Sequence, residues 1–219
     1  DLTRTVRSEN FRYIRNYSPH RPWGQHYAYA WLSESYQNYE ILWKNEELDE
    51  VQSKFWKRKP AEELYNCSVD PNSINNIINN YKYKKIITDM RSALDNHMLS
   101  INDKGFIPEN SSTEISEYNK SSLFYPLEEV IELAGKAIQR DPKETQYFKK
   151  VLNSETMVLR YWAAQGLLML SIEGLLNTSL LSNLNSEINP NIKIILAETI
   201  GHAENTDLAS EYLLKYLNN

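Results

Sequence analysis

The chain has 219 residues, 41% apolar and 24% charged, the profile of a folded globular protein rather than a disordered or fibrous one. A formal charge of −5 and a pI near 5.5 argue against a broad nucleic-acid-binding role. Six glycines are too few for the many tight turns of a β-sandwich or barrel, so helix should dominate. A single cysteine, Cys67, rules out an intrachain disulfide and a cysteine-based metal cluster. No apolar run approaches the ~18 residues of a membrane-spanning helix. The chain opens without Met on a strand-like segment and carries no signal peptide, which fits a piece of a longer protein.

In chain order, Thr3-Arg4-Thr5-Val6-Arg7-Ser8 and Phe11-Arg12-Tyr13-Ile14-Arg15-Asn16-Tyr17 flank a turn at Glu9-Asn10 and read as a β-hairpin. Strand periodicity places Phe11, Tyr13, Arg15 and Tyr17 on one face and Arg12, Ile14 and Asn16 on the other. Neither face is cleanly apolar, so one side should pack while the other lines a cleft or meets a further sheet. Two prolines stiffen the loop Ser18-Pro19-His20-Arg21-Pro22-Trp23. Tyr29, Leu32, Tyr36, Tyr39 and Leu42-Trp43, then Leu48, Val51 and Phe55, recur at helical spacing in two broken runs. Pro60 ends the second run, and Glu63-Leu64-Tyr65-Asn66 reads as a short strand.

Asp70-Pro71 predicts an N-cap with proline at the first helical position. The helix it opens, over 73–103, carries Tyr83, Ile86-Ile87, Met90, Leu94 and Met98 on one stripe, with Gly105 as its terminator. The Ser- and Asn-rich stretch 110–125 is aperiodic and reads as a linker. Helical pieces follow at about 126–139, 142–152, 155–171, 177–184, 190–203 and 206–217, two of them opened by Asp141-Pro142 and Asn189-Pro190. Leu159-Arg160, Ala164 and Leu167 recur thirty-three positions on as Ile192-Lys193, Ala197 and Ile200, a HEAT-like spacing in which alanine permits close helix contact. The expected architecture is a small antiparallel sheet with helices, an α+β subdomain at 1–109, followed by an all-α helical array at 126–219.

Several ordered motifs in residues 1–109 carry a resemblance. Arg4-Thr5-Val6-Arg7 with Phe11-Arg12-Tyr13-Ile14, His20-Arg21-Pro22, Lys59-Pro60-Ala61-Glu62-Glu63-Leu64-Tyr65-Asn66, Asp70-Pro71 with Asn75-Asn76, and Asp103-Lys104-Gly105-Phe106-Ile107-Pro108-Glu109 follow one another as in the C-terminal subdomain of sulfatases. The chain resembles that subdomain, especially in the bacterial heparan N-sulfatase and arylsulfatase group, with Asn66 where the family more often has Asp. The resemblance implies a secreted or periplasmic hydrolase of sulfate esters or sulfamates on sulfated glycans. Its formylglycine comes from Cys or Ser in a C/S-x-P-S/A-x-R motif, which Asn66-Cys67-Ser68-Val69 does not match. Formylglycine and calcium are therefore expected in an upstream catalytic domain, and no catalytic or metal residue is assigned in these 219 positions.

Positive charge gathers at the start: residues 1–60 hold 10 Lys/Arg against 8 Asp/Glu, and residues 61–219 hold 14 against 21. Arg15, His20 and Arg21 are the candidates to contact sulfate or carboxylate groups of a glycan, since guanidinium and imidazole suit oxyanions. Trp23 could stack on a sugar ring. The competing reading has the arginines holding the loop and Trp23 in the core. Lys57-Arg58-Lys59 reads as a solvated turn. His26, His97 and His202 stand apart from any second metal ligand. The alternative function is a self-sufficient helical-repeat interaction module.

Overall fold

A computed structural model describes residues 2–108, 125–203 and 206–217. The linker read at 110–125 lies outside the described residues apart from Tyr125. Two compact units divide the chain, Asp1–Leu94 and Asp95–Asn219. The first is built on a three-stranded antiparallel sheet in the order β1 (Thr3–Arg7), β2 (Phe11–Asn16), β3 (Glu62–Asn66). The second is helical, so the α+β subdomain followed by an all-α region is the observed architecture.

The hairpin register pairs Val6 with Tyr13 and Arg4 with Arg15; β3 then sets Leu64 opposite Tyr13 and Glu62 opposite Arg15. One face therefore collects Tyr13, Leu64, Glu62 and Arg15, and the other Asn16, Glu63 and Tyr65. Both faces bury polar groups, which is why neither shows a clean apolar alternation. The outer edge of β3 would leave backbone groups unpaired. Asn76 fills that role: its Oδ1 accepts from Leu64 N at 3.0 Å, its Nδ2 donates to Glu62 O at 3.1 Å, and Ile77 N donates to Leu64 O at 2.8 Å.

Between β2 and β3 lie α1 (Glu34–Lys44) and the one-turn α2 (Glu50–Ser53). Asp49 and Gln52 form a reciprocal capping box on α2. Past β3, the helix predicted from Asp70-Pro71 begins later. Residues 70–80 are irregular backbone with two short turns, Tyr81–Tyr83 form a 3₁₀ turn, and α3 runs over Lys84–Ser100. The Asp70 carboxylate caps a loop instead, accepting from Ile74 N at 3.1 Å and Asn75 N at 2.8 Å, with Ser73 at φ 54°. The end of α3 also differs: Asn102 takes the left-handed conformation at φ 50°, and Gly105 lies in a following 3₁₀ turn. Ile87, Met90, Leu94 and Met98 are the buried stripe of α3.

The second unit contains α4 (Leu127–Gln139), α5 (Thr145–Val151), α6 (Met157–Ile172), α7 (Leu181–Ser186), α8 (Pro190–Ala203) and α9 (Thr206–Leu217). Helices α4, α6 and α8 lie side by side in a row, with α5 against α6, and α7 and α9 against α8. Because α6 has neighbours on several sides, it is apolar nearly all round, as such a position requires. Ala164 on α6 and Ala197 on α8 are completely buried. Gly166 lets the Phe148 ring of α5 lie where a Cβ would stand only 2.8 Å away. The proline-initiated starts hold: Asp141 Oδ1 accepts from Lys143 N at 2.9 Å and Asn189 Oδ1 from Asn191 N at 3.0 Å. No helix among the described residues is long and apolar enough to cross a membrane.

Candidate functional site

The loop 18–24 is stitched to the segment that leads into β3. Lys59 N donates to Pro19 O at 3.0 Å, Gly24 N donates to Phe55 O at 2.9 Å, and Pro22 bridges to Arg58. Asn16 N donates to Ala61 O at 2.9 Å just before the loop begins. The loop is thus fixed by backbone pairing with a stretch 31 to 40 residues away in sequence, which the prolines alone did not reveal.

Of the four candidate residues, the structure separates two from solvent. Arg15 is buried, its Nε donating to the Tyr13 hydroxyl at 3.1 Å and its Nη1 to the Tyr17 hydroxyl at 3.1 Å. The Tyr13 hydroxyl donates in turn to Glu62, whose other partner is the Arg91 guanidinium on α3. Burial would raise the Glu62 carboxyl, but hydrogen bonds from Arg91 and Tyr13 hold it below the usual range. Burial pushes the Tyr13 phenol well above its ordinary value. Arg15 is therefore a member of an Arg15–Tyr13–Glu62–Arg91 relay that ties β2, β3 and α3 together. His20 is buried as well, while Arg21 is half-buried and Trp23 is 37% exposed.

A second buried cluster sits on the other face of the sheet. Asn16 Nδ2 donates to Glu63 Oε1 at 2.6 Å, and the Tyr65 hydroxyl donates to the same carboxylate. Lys59 belongs here: only 2% of it is exposed, and its Nζ lies 5.8 Å from the centre of the Trp23 ring. The expectation that Lys57-Arg58-Lys59 solvates a turn fails at its third residue. Burial lowers the Lys59 amine to about 8, against the raising effect of the Glu63 charge. A lysine within a basic run has the same local signature whether its amine points out or in, so the sequence carried no signal for this.

Beside the loop lies an aromatic cluster. His26 stacks on Trp31 with centroids 3.8 Å apart, and Tyr39 on Phe55 at 5.4 Å; Trp56 meets Trp31, Tyr39 and Phe55 edge-on. The His26 ring also bonds Glu40 at 2.7 Å. Lys44, His26 and Trp31 together hold the Glu40 carboxyl well below the usual range. His97 and His202 are exposed on separate helices. Among the described residues no three His, Cys, Asp or Glu side chains gather as metal ligands would. Cys67 is half-buried, its backbone N–H donating to Asn10 O.

The second unit has a polar concavity of about 290 Å³, lined by Asn153, Ser154, Arg160, Asn183 and Glu187 among others. Its charges are engaged with each other: Arg160 Nε donates to Glu187 at 2.9 Å, and its Nη1 donates to the Ser154 and Glu155 carbonyls. Glu187 also accepts from Ile188 N and Asn189 N at the start of α8. Burial would raise the Glu187 carboxyl, yet Arg160 and these backbone donors keep it below its ordinary value.

Against known proteins, no family model matches this chain and no solved structure matches it. The chain is 33% identical over 110 residues to an ulvan-active sulfatase of Formosa agariphila, covering 50% of this chain and 18% of that protein. This is homology to a bacterial sulfatase over half of the chain. The chain spans less than a fifth of that relative's length.

Proposed function

We propose that this chain is the C-terminal, non-catalytic portion of a sulfatase-family hydrolase acting on sulfated glycans, and that it completes the substrate cleft and scaffolds it. The observation that carries this reading is the likeness to the ulvan-active sulfatase over half of the chain. The parent would be secreted or periplasmic, of the heparan N-sulfatase or arylsulfatase group, with calcium and formylglycine in an upstream catalytic domain. Attack on sulfur needs an activated nucleophile and a cation to neutralise the sulfate oxygens. This chain's part would be positioning. Arg21 and Trp23, the solvent-reachable members of the loop, would contact the glycan, while Arg15 and His20 hold the loop's base.

The motif residues of the resemblance support a structural part for this region. Asp70 closes a loop, Asn76 closes the edge of β3, and Glu62 anchors the buried relay. The domains would be 1–109, a sulfatase-type subdomain, and 126–219, a HEAT-like array. The side-by-side row of α4, α6 and α8 favours a second reading, a helical-repeat interaction module.

Two experiments separate these readings. The coding sequence upstream of Asp1 should contain a C/S-x-P-S/A-x-R motif some hundreds of codons earlier, and its absence would exclude the sulfatase reading. In the longer protein, Arg21→Ala and Trp23→Ala should raise KM for a sulfated oligosaccharide at least about fivefold, in line with loss of a charge-assisted contact or a stacking platform. Unchanged KM in both would remove the loop from the cleft.

A further inference from the structure

Helix α1 is eleven residues long and includes Tyr36, Tyr39, Ile41, Leu42 and Trp43, yet not one of its residues is buried. An isolated helix of that length is marginal in water, and in proteins it is held by burying one face. Its inner side reaches Phe55 through Tyr36 and Tyr39, at centroid distances of 6.3 and 5.4 Å. Ile41 and Leu42 are exposed, and so are Tyr29 and Leu32 in the turn before it, at 81% and 78%. A groove of about 260 Å³ lined by Ser35, Tyr36, Tyr39 and Phe55 opens beside the helix. Single exposed apolar residues are ordinary, but a helix with no buried residue at all is not.

We propose that the outer face of α1 and this groove seat a segment of the parent polypeptide upstream of Asp1, docking through apolar side chains ringed by Lys or Arg. The proposal rests on the function proposed above and names the partner surface of that reading. Two observations select the occupant. First, the 110 matched residues make up 18% of the sulfatase relative, so most of that protein lies outside the match. Second, residues 34–50 carry Glu34, Glu40, Glu46, Glu47, Asp49 and Glu50 against Lys44 alone. Such an acidic stretch repels a sulfated glycan and equally a second copy of itself, and it complements a basic protein surface. A covalently joined segment also has a high effective concentration, which suits a modest apolar patch.

The test is amide exchange over 34–44 in the 219-residue chain and in the longer protein. Exchange should slow by roughly tenfold or more in the longer protein. Leu32→Glu and Ile41→Glu, both at exposed positions, should leave melting of the 219-residue chain unchanged and abolish the added protection. Equal exchange in the two proteins would overturn the proposal. So would protection that appears only with a heparin-derived tetrasaccharide, which would make the groove a glycan site, or only at high concentration of the short chain, which would mean self-association. A reading frame that starts at Asp1 overturns it as well. An upstream region that lacks C/S-x-P-S/A-x-R sinks the sulfatase reading alone, because exchange over α1 still decides the docking.

Discussion

The two units of this chain are stabilised by different interactions. In the first, buried charges and hydroxyls on both faces of the sheet link strands to helix through Glu62, Arg91, Tyr13 and Arg15, and through Asn16, Glu63 and Tyr65. In the second, close-packed apolar helices around Trp162, Leu167, Leu168 and Ile192 do that work. Apolar burial is non-directional and tolerant of detail, whereas a polar relay loses stability when any one member lacks its partner. The first unit should therefore respond sharply to charge and pH, and the second to volume.

The largest expected effect is on volume. Trp162 is almost wholly buried, packs on Phe106 at 5.6 Å and donates from Nε1 to the Phe106 carbonyl at 3.0 Å. Trp162→Ala should cost about 3–5 kcal/mol, seen as faster amide exchange across α4, α6 and α8. Strands β1 to β3 should be unaffected, and loss of protection there would erase the contrast. Next come Ala164→Leu and Ala197→Leu, which should overpack a helix–helix contact and destabilise by ~1–3 kcal/mol. Unchanged melting in both would remove the support for stacked repeats.

In the first unit, Glu62→Gln keeps the shape but removes the charge that receives Arg91 and Tyr13. Arg91 is partly open to solvent, so a loss of about 1–2 kcal/mol is expected, read from urea unfolding. The Glu62 carboxyl titrates below its ordinary 4.5 in the folded state. The stability it gives is thus complete above that value and lost as pH falls through the lower folded value, and this acid loss should shrink in Glu62→Gln.

The smallest effect runs the other way. Folded Lys59 titrates near 8 against 10.5 when solvated, so between these values the unfolded state binds more protons and stability rises with pH. Unfolding of Trp162→Phe isolates this, because the four remaining tryptophans, Trp23, Trp31, Trp43 and Trp56, all lie in the first unit. The midpoint should climb from pH 8 to 9, below the range in which tyrosines ionise, and stay flat when Lys59→Met is added. A flat profile in both would place the Lys59 amine in water.

Local sequence made most elements legible. Strand alternation gave the hairpin and β3, and Asp141-Pro142 and Asn189-Pro190 marked helix starts to within a residue. Asp70-Pro71 misled because an aspartate that accepts backbone N–H groups can cap a loop as readily as a helix. The site was less legible than the fold. Arg15 fitted a glycan contact and a structural role equally because its tyrosine partners sit on the same strand face, where stacking and hydrogen bonding cannot be told from a shared exposed surface.

What the sequence determined unaided is the order and kind of elements, the likeness to a sulfatase over half of the chain, and the burial of Ala164 and Ala197, since each depends on periodicity or short-range chemistry. Tertiary structure alone decided that Arg15, His20 and Lys59 are buried, that Asn76 closes the edge of β3, and that α1 stands without a buried residue. Those outcomes depend on which distant segments meet, and desolvation of a charge is a property of the assembled neighbourhood rather than of the residue that carries it.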